Sequence, residues 1–245
     1  MKSWTRTLTL ADAHSLLALA QPRMSRPDWE RACYKALAHI KSRPRQTDQI
    51  RLVRENFLVF TGDSRIDGRG LFLRMYRKAS AAGQEGLVWV AWALSHDITA
   101  KAVEELVAPA LASGDQDIPL MRVDKFVKKH ADTEAADALR KTRTTLLDAL
   151  SGLGCVETRG TGRHRSITAT QGHPDATVFS YLILRELDET NRDAMSTTDA
   201  TTTAQAVQLT QCNMGHAFVC IGAALQTGSL IALDNEIAVP EAAAA

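Results

Sequence analysis

Apolar residues recur at helical spacing through the first part of the chain. Two helices fit the first 41 residues, and Ile50, Val53 and Phe57 continue the three- to four-residue spacing in a third. Further apolar repeats follow up to Gly114, and a glycine directly after such a repeat indicates a helix end. The pattern therefore predicts an N-terminal helical bundle over residues 1–117.

The pattern changes after residue 117. The segments "IPLMRVDKFVKKHA" and "TEAADALRKTRTTLLDALSGLG" each fit one helix, and Gly154 ends the second. The following segment, "CVETRGTGRHRSITAT", fits a short strand, a Gly-rich turn and another strand. Two helices followed by a β-hairpin are the order of a winged helix, so we expect a winged-helix-like domain over residues 118–190.

Residues 191–245 have a different character. The Thr-rich stretch "MSTTDATTTA" is typical of a linker, and the apolar stretch at 217–233 fits one further helix. These residues are expected to form an acidic C-terminal extension, a linker followed by that possible helix. The fold class predicted for the whole chain is mainly α, with an N-terminal helical bundle followed by a winged-helix-like domain that combines a helix-turn-helix with a β-hairpin.

Composition favours a folded, helical, intracellular protein. An apolar content of 45% is enough for a core, and an aromatic share of 5% favours helices over a sheet-rich sandwich. Asp12 and His14 interrupt the apolar run that a signal peptide needs, and polar residues dilute the stretch at 217–233 below a membrane span. The four cysteines are scattered among apolar neighbours, as buried thiols of a reducing compartment are. We expect a cytoplasmic protein without membrane association.

The formal net charge of +1 hides a strong asymmetry along the chain. Residues 171–245 contain two basic and nine acidic side chains, whereas residues 1–170 contain 27 basic and 19 acidic ones. A second local excess covers residues 41–78, where ten Lys or Arg outnumber four acids. Because a polyanion responds to the local field, this distribution favours a nucleic-acid partner for the basic part.

Two basic elements coincide in the predicted winged helix. The second helix keeps its leucines for the core and presents cations in its N-terminal half, the part of a recognition helix that enters the major groove. The hairpin turn adds further cations around glycines that let backbone approach a phosphate. The candidate DNA contacts of this domain are Arg140, Lys141, Arg143, Thr144, Arg159, Arg163, His164 and Arg165. The basic zone at 41–78 adds Arg51, Arg65, Arg69 and Arg74, provided that it shares a face with the hairpin.

No constellation of residues predicts catalysis or a cofactor. Ser95, His96 and Asp97 contain the residue types of a triad, but side chains of successive residues are expected to point apart. Cys212, His216 and Cys220 lie four residues apart on one helical face, which fits either metal ligation or core packing; without an evident fourth ligand, packing is favoured. The sequence therefore predicts a protein that is not an enzyme, with no cofactor and no metal.

The order of features resembles a known family. The region "RENFLVFTGDSRIDGRGLFLRMYRK", the segment "LRKTRTTLLDALSGLGCVETRGTG" and the helix "FSYLILREL" are similar to the BrxA-like accessory proteins of BREX bacteriophage-defence systems. The resemblance spans residues 28–190, with short matches around Asn56, Arg65, Arg74 and the turn from Leu150 to Cys155. It implies a small helical DNA-binding protein of winged-helix character, encoded beside a methyltransferase and ATPases.

Three functions follow from these patterns. The leading hypothesis is a non-catalytic accessory protein that binds double-stranded DNA in a prokaryotic anti-phage defence system of the BREX type and contacts other proteins of that system. One alternative is a winged-helix transcriptional repressor, which would prefer one palindromic operator and act as a dimer. Another is a protein-interaction adaptor whose charges only solvate its surface, because a fold does not fix a function. The oligomeric state is left open by the sequence.

Overall fold

The computed structural model describes residues 9–131, 134–160 and 165–240. The chain is mainly helical with small antiparallel sheets, as the sequence predicted. It divides into two compact units, one ending at Ala91 and one beginning at Trp92. Within the described part, no helix combines the length and the apolar character that crossing a bilayer requires.

The first unit consists of helices packed around a small aromatic and aliphatic core. Its helices are α1 (Leu10–Ala18), α2 (Arg26–Ala36), α3 (Arg43–Phe57), α4 (Leu71–Lys78) and α5 (Ala81–Leu94), of which α5 continues into the second unit. Thr9 and Ser25 cap α1 and α2 by accepting hydrogen bonds from backbone amides in the first turn of each helix. Leu16, Trp29 and Val53 are completely buried, which places the inward stripes of α1, α2 and α3 against one another.

The second unit begins with a broken helix and continues into a helix pair and a hairpin. Its elements are α6 (Asp97–Ala102), a π-helical turn (Val103–Val107), α7 (Ala108–Ser113), α8 (Leu120–His130), α9 (Ala136–Gly152), β1 (Val156–Arg159), β2 (Ser166–Ala169) and α10 (Ala176–Glu189). Gly114, in the left-handed conformation, ends α7. Buried Leu146, Leu147 and Leu150 fix the inner face of α9, which packs against α8 and β1.

The hairpin is the centre of a three-segment sheet edge. β1 and β2 are antiparallel, with Val156 opposite Ala169 and Arg159 opposite Ser166. The segment before α8 adds a short third pairing to β2, because the Ile118 amide donates to the Ile167 carbonyl at 2.8 Å and the Ala169 amide donates to Gln116 at 2.7 Å. The hairpin is thus joined to the chain on both sides of the α8–α9 pair.

Residues after α10 fold back onto the second unit. They form β3 (Ala194–Ser196), α11 (Thr197–Thr202), α12 (Gln205–Thr210), α13 (Met214–Gln226), β4 (Ile231–Leu233) and β5 (Glu236–Ala238), with the strands in the antiparallel order β3-β5-β4. The Thr-rich stretch predicted as a linker is therefore a strand and a helix. Ser196 caps α11 by accepting from the Asp199 amide, and threonine hydroxyls within α11 donate to the carbonyls of Thr197 and Thr198.

The units differ from the predicted domain boundaries at 117 and 190. The division lies at residue 91, because the apolar end of α5 belongs to the same unit as α6. Residues after 190 belong to this unit too, since the Gln205 amide donates to Glu186 of α10 at 2.6 Å and the buried Cys155 thiol lies 3.3 Å from the Leu209 carbonyl. The helix–hairpin region and the C-terminal residues share one core.

Candidate nucleic-acid interface

The N-terminal half of α9 presents the polar side chains that the sequence predicted to be exposed. Arg140, Lys141 and Thr144 are all exposed. Arg140 lies 3.2 Å from Asp137, with 64% and 79% of the two side chains accessible, so water screens this pair and leaves it weak. The Thr144 hydroxyl donates to the Arg140 carbonyl at 3.1 Å. Lys141 makes no hydrogen bond or ion pair with any residue that the structure describes.

Arg143 is placed differently from its neighbours. Its guanidinium lies 2.8 Å from a carboxylate oxygen of Asp124 on α8, and only 27% of its side chain is accessible. A charge-assisted hydrogen bond of this length ties α9 to α8 and neutralises most of the arginine's field. Arg143 was predicted as an exposed contact; the structure makes it a cross-link between the two helices, because its partner comes from a different element.

The hairpin places two of its predicted cations beside α9. Arg159, at the end of β1, is 83% accessible and lies 3.2 Å from Glu157. Arg165 is half-buried and donates to the Thr158 hydroxyl at 3.3 Å. Desolvation raises the pKa of Asp148 on α9, and the nearby Arg165 guanidinium opposes that rise. Arg163 and His164, the other predicted contacts of the turn, lie outside the described residues.

Two further exposed lysines on α8 were missed by the sequence analysis. Lys125 and Lys128 have no hydrogen-bond or ion-pair partner among the residues of known position. Lys128 lies one turn after Asp124, the residue that contacts α9, so this stripe of α8 borders α9. The burial of Val123, Phe126 and Val127 is a helical pattern that could have indicated which residues of α8 face outward.

The π-helical turn anchors the other side of α8. Glu105 accepts hydrogen bonds from Lys129 at 2.8 Å and lies 3.0 Å from His130, and its backbone carbonyl accepts from Arg122. The hydrogen bond from Lys129, helped by His130, holds the pKa of Glu105 below its ordinary value. Contacts from both ends of α8 therefore fix its position, so Lys125 and Lys128 are held on a positioned helix.

The predicted contacts in the first unit are partly neutralised by acids. Arg51 lies 3.0 Å from Glu55 and 3.8 Å from Asp48. Arg65 lies 3.0 Å from Asp63 and donates to the Arg23 carbonyl. Arg69 is exposed and Arg74 half-buried. All four belong to the unit that ends at Ala91, whereas α8, α9 and the hairpin belong to the other.

The side chains of Ser95 and His96 meet, contrary to the expectation that they point apart. Ser95 Oγ lies 2.6 Å from His96 Nδ1, because the chain turns sharply after α5. Both atoms also lie on the Trp92 carbonyl, at 2.7 Å and 3.0 Å. A serine that donates to a carbonyl is not activated by the imidazole, so the pair closes the helix end.

The cysteines are packing residues. All four are buried free thiols, as the sequence predicted, and burial raises the pKa of Cys155 and of Cys220 to about 12. The Cys220 thiol and the His216 Nε2 atom both lie on the Pro174 carbonyl, at 3.4 Å and 2.9 Å. In the described ranges, no group of three or more His, Cys, Asp or Glu side chains is arranged to hold a metal ion.

Comparison with known proteins returns nothing similar: no protein-family model, no curated protein and no solved structure matches this chain. What the chain can bind is therefore inferred from the chemistry of α8, α9 and the hairpin. Residues 118–169, which include these elements, contain ten Lys or Arg against six Asp or Glu.

Proposed function

We propose that this chain is a non-catalytic accessory protein that binds double-stranded DNA in a prokaryotic anti-phage defence system of the BREX type. The observation that carries the proposal is the exposed, basic N-terminal half of α9, with Arg140 and Lys141 beside the hairpin that carries Arg159. A polyanion is the ligand that such a surface attracts. The resemblance to BrxA-like proteins supplies the biological setting.

The arrangement of elements supports a winged-helix mode of binding. The short pairing at 116–118, the helices α8 and α9 and the β1–β2 hairpin follow one another in the order of a winged helix. In this mode α9 enters the major groove by its N-terminal half, and the hairpin lies along the neighbouring backbone. The lysines of α8 then contact phosphates, which positions the protein without reading sequence.

The charges predict how binding depends on salt. Five exposed cations are available in the described part: Lys125, Lys128, Arg140, Lys141 and Arg159. Each phosphate neutralised contributes about −0.9 to the slope of log K against log salt, so five contacts give a slope of roughly −4 to −5. Because these contacts are to the backbone, affinity should differ little between DNA sequences.

The proposal contains no chemical step. Catalysis requires a nucleophile or metal, a base and an electrophilic group that converge on one point. Among the residues described, the Ser95–His96 pair is engaged with a backbone carbonyl and no cluster of metal-binding side chains is formed. The chain's contribution to defence is therefore binding, and its partners are DNA and other proteins of the system.

A fluorescence-anisotropy titration of the full chain tests the proposal. Two labelled duplexes of unrelated sequence are titrated at low and at physiological salt. We expect similar affinities for the two duplexes and a steep loss of affinity as salt rises. Absence of binding at low salt, or binding that ignores salt, would contradict DNA binding. A strong preference for one palindrome would instead favour a repressor, and neighbouring methyltransferase and ATPase genes would favour the defence setting.

Releasing Arg143 should strengthen DNA binding. In Asp124→Asn the carboxylate that neutralises Arg143 is removed while the shape of the side chain is kept. A freed guanidinium at the edge of α9 should raise affinity about threefold to tenfold, the latter equal to about 1.4 kcal/mol. The matched control is Asp188→Asn, which removes an exposed carboxylate from α10 and should change affinity by less than about twofold. An unchanged or weaker affinity in Asp124→Asn would show that Arg143 does not reach DNA.

A further inference from the structure

Helix α13 has one buried face and one apolar face that the described chain leaves open. Ala217, Cys220, Ile221 and Ala224 are buried, and α13 packs against α10 and α11. On the other side Met214, Phe218 and Val219 are 54%, 48% and 66% exposed. Monomeric proteins expose single large apolar residues routinely, but a contiguous group of them marks an interaction site.

These exposed residues form a ridge with a dent beside it. Met214, Phe218 and Gly222 are four residues apart and lie on one stripe of the helix, and Val219 lies next to Phe218. A Cβ atom added at Gly222 would meet no atom within 4 Å, so the surface above this glycine is open. A large side chain can approach the helix backbone there, because nothing occupies that space.

The surroundings of the face are uncharged. Residues 200–233 contain no Asp, Glu, Lys or Arg, in a chain of which 23% is charged. A partner with a charged contact surface would bury its charges against this face without compensation, which is costly. The face therefore fits a partner surface that is itself apolar and uncharged, and α13 of a second copy has this property.

We propose that two copies of the chain associate through α13, with the two helices antiparallel about a two-fold axis. In such an interface each contact occurs twice, so Phe218 of each copy lies against Gly222 of the other. The ridge of one helix then fills the dent of its counterpart. One helix face is smaller than the roughly 800 Å² per partner of a standard interface, so the dimer is reversible and depends on concentration.

This inference is independent of DNA binding, because α13 contributes no residue to the α8, α9 and hairpin surface. Sedimentation equilibrium of the full chain without DNA tests it. We expect the mass to rise with concentration from that of one chain, 26.7 kDa, towards twice that value. Phe218→Glu should raise the dissociation constant of the dimer by at least about tenfold, since a charge would be buried against an apolar helix.

A second variant separates loss of association from loss of folding. Gly222→Glu adds a side chain where the monomer has open space and replaces the weakest of the ordinary helix formers, so it should fold at least as well as the natural chain. It should nevertheless remain monomeric, because the dent is filled and charged. The control is Val59→Glu, which charges an equally exposed apolar residue (56%) of the first unit and should dimerise like the natural chain. A monomer at every concentration, or a dimer that survives both α13 variants, would overturn the proposal.

Discussion

Lys141→Glu should lower the affinity for double-stranded DNA by at least about tenfold at low salt, which corresponds to about 1.4 kcal/mol. Lys141 is exposed in the N-terminal half of α9 and has no described partner that would hold its charge back. The substitution removes one phosphate contact and places a negative charge at the groove. The loss should be similar for unrelated sequences, and the salt slope should fall by about one.

The fold should survive this change. Glutamate forms helices as well as lysine does, and the position is exposed, so the unfolding temperature should be unaltered within about two degrees. The matched control is Arg192→Glu, which produces the same change of charge at an exposed position after α10, in the same unit. Its affinity should stay within about twofold of the natural chain. Equal losses in the two variants would mean that only net charge matters and that α9 is not the contact.

Gly172→Ala should destabilise the second unit by about 3 kcal/mol, at the upper end of the range for over-packing. The glycine is buried, and its amide donates to the Thr210 carbonyl at 3.1 Å. An added Cβ would lie 2.1 Å from that carbonyl oxygen and 3.1 Å from its carbon. Backbone cannot rotate away as a flexible side chain can, so the loop after β2 and the end of α12 must separate.

Thermal and urea unfolding of the full chain measure this effect. A loss of about 3 kcal/mol corresponds to a fall of roughly 6–12 °C in Tm for a domain of this size. The control is Gly62→Ala, because a Cβ at Gly62 would meet no atom within 4 Å and stability should change by less than about 0.5 kcal/mol. A Gly172→Ala variant as stable as the control would show that the two backbone segments do not touch in solution.

The elements of the helix–hairpin region were predictable from sequence because their apolar residues are periodic. Val123, Phe126 and Val127 define the inner face of α8, and the leucines of α9 do the same over a longer run. Gly154, with a positive φ of 73°, supplies the stop between α9 and β1. Each of these signals is local, so a single sequence contains it.

The C-terminal residues were predicted less well for the opposite reason. Serine, threonine and alanine dominate residues 196–206, and such residues are common in linkers. Their order comes from contacts with distant parts of the chain, such as Glu186 with the Gln205 amide and Cys155 with the Leu209 carbonyl. Local composition does not contain that information.

The electrostatics of the site divides in the same way. The exposure of Arg140 and Lys141 follows from their positions relative to the buried leucines of α9. The neutralisation of Arg143 by Asp124 depends on how α8 crosses α9, and the proximity of Arg165 to Asp148 depends on where the hairpin lies. Sequence therefore identifies which cations face outward, and only the packed structure identifies which of them already have a partner.

The sharing of α10 between the hairpin region and the C-terminal residues has a consequence for how the protein is made. Most of α10 is buried, and α12 and α13 pack against it. A ribosome releases α8, α9 and the hairpin before it has synthesised α13 and the strand β5 that completes the last sheet. The nascent chain therefore carries an uncovered apolar helix until translation is nearly finished, a period in which it depends on chaperones or fast completion to avoid aggregation.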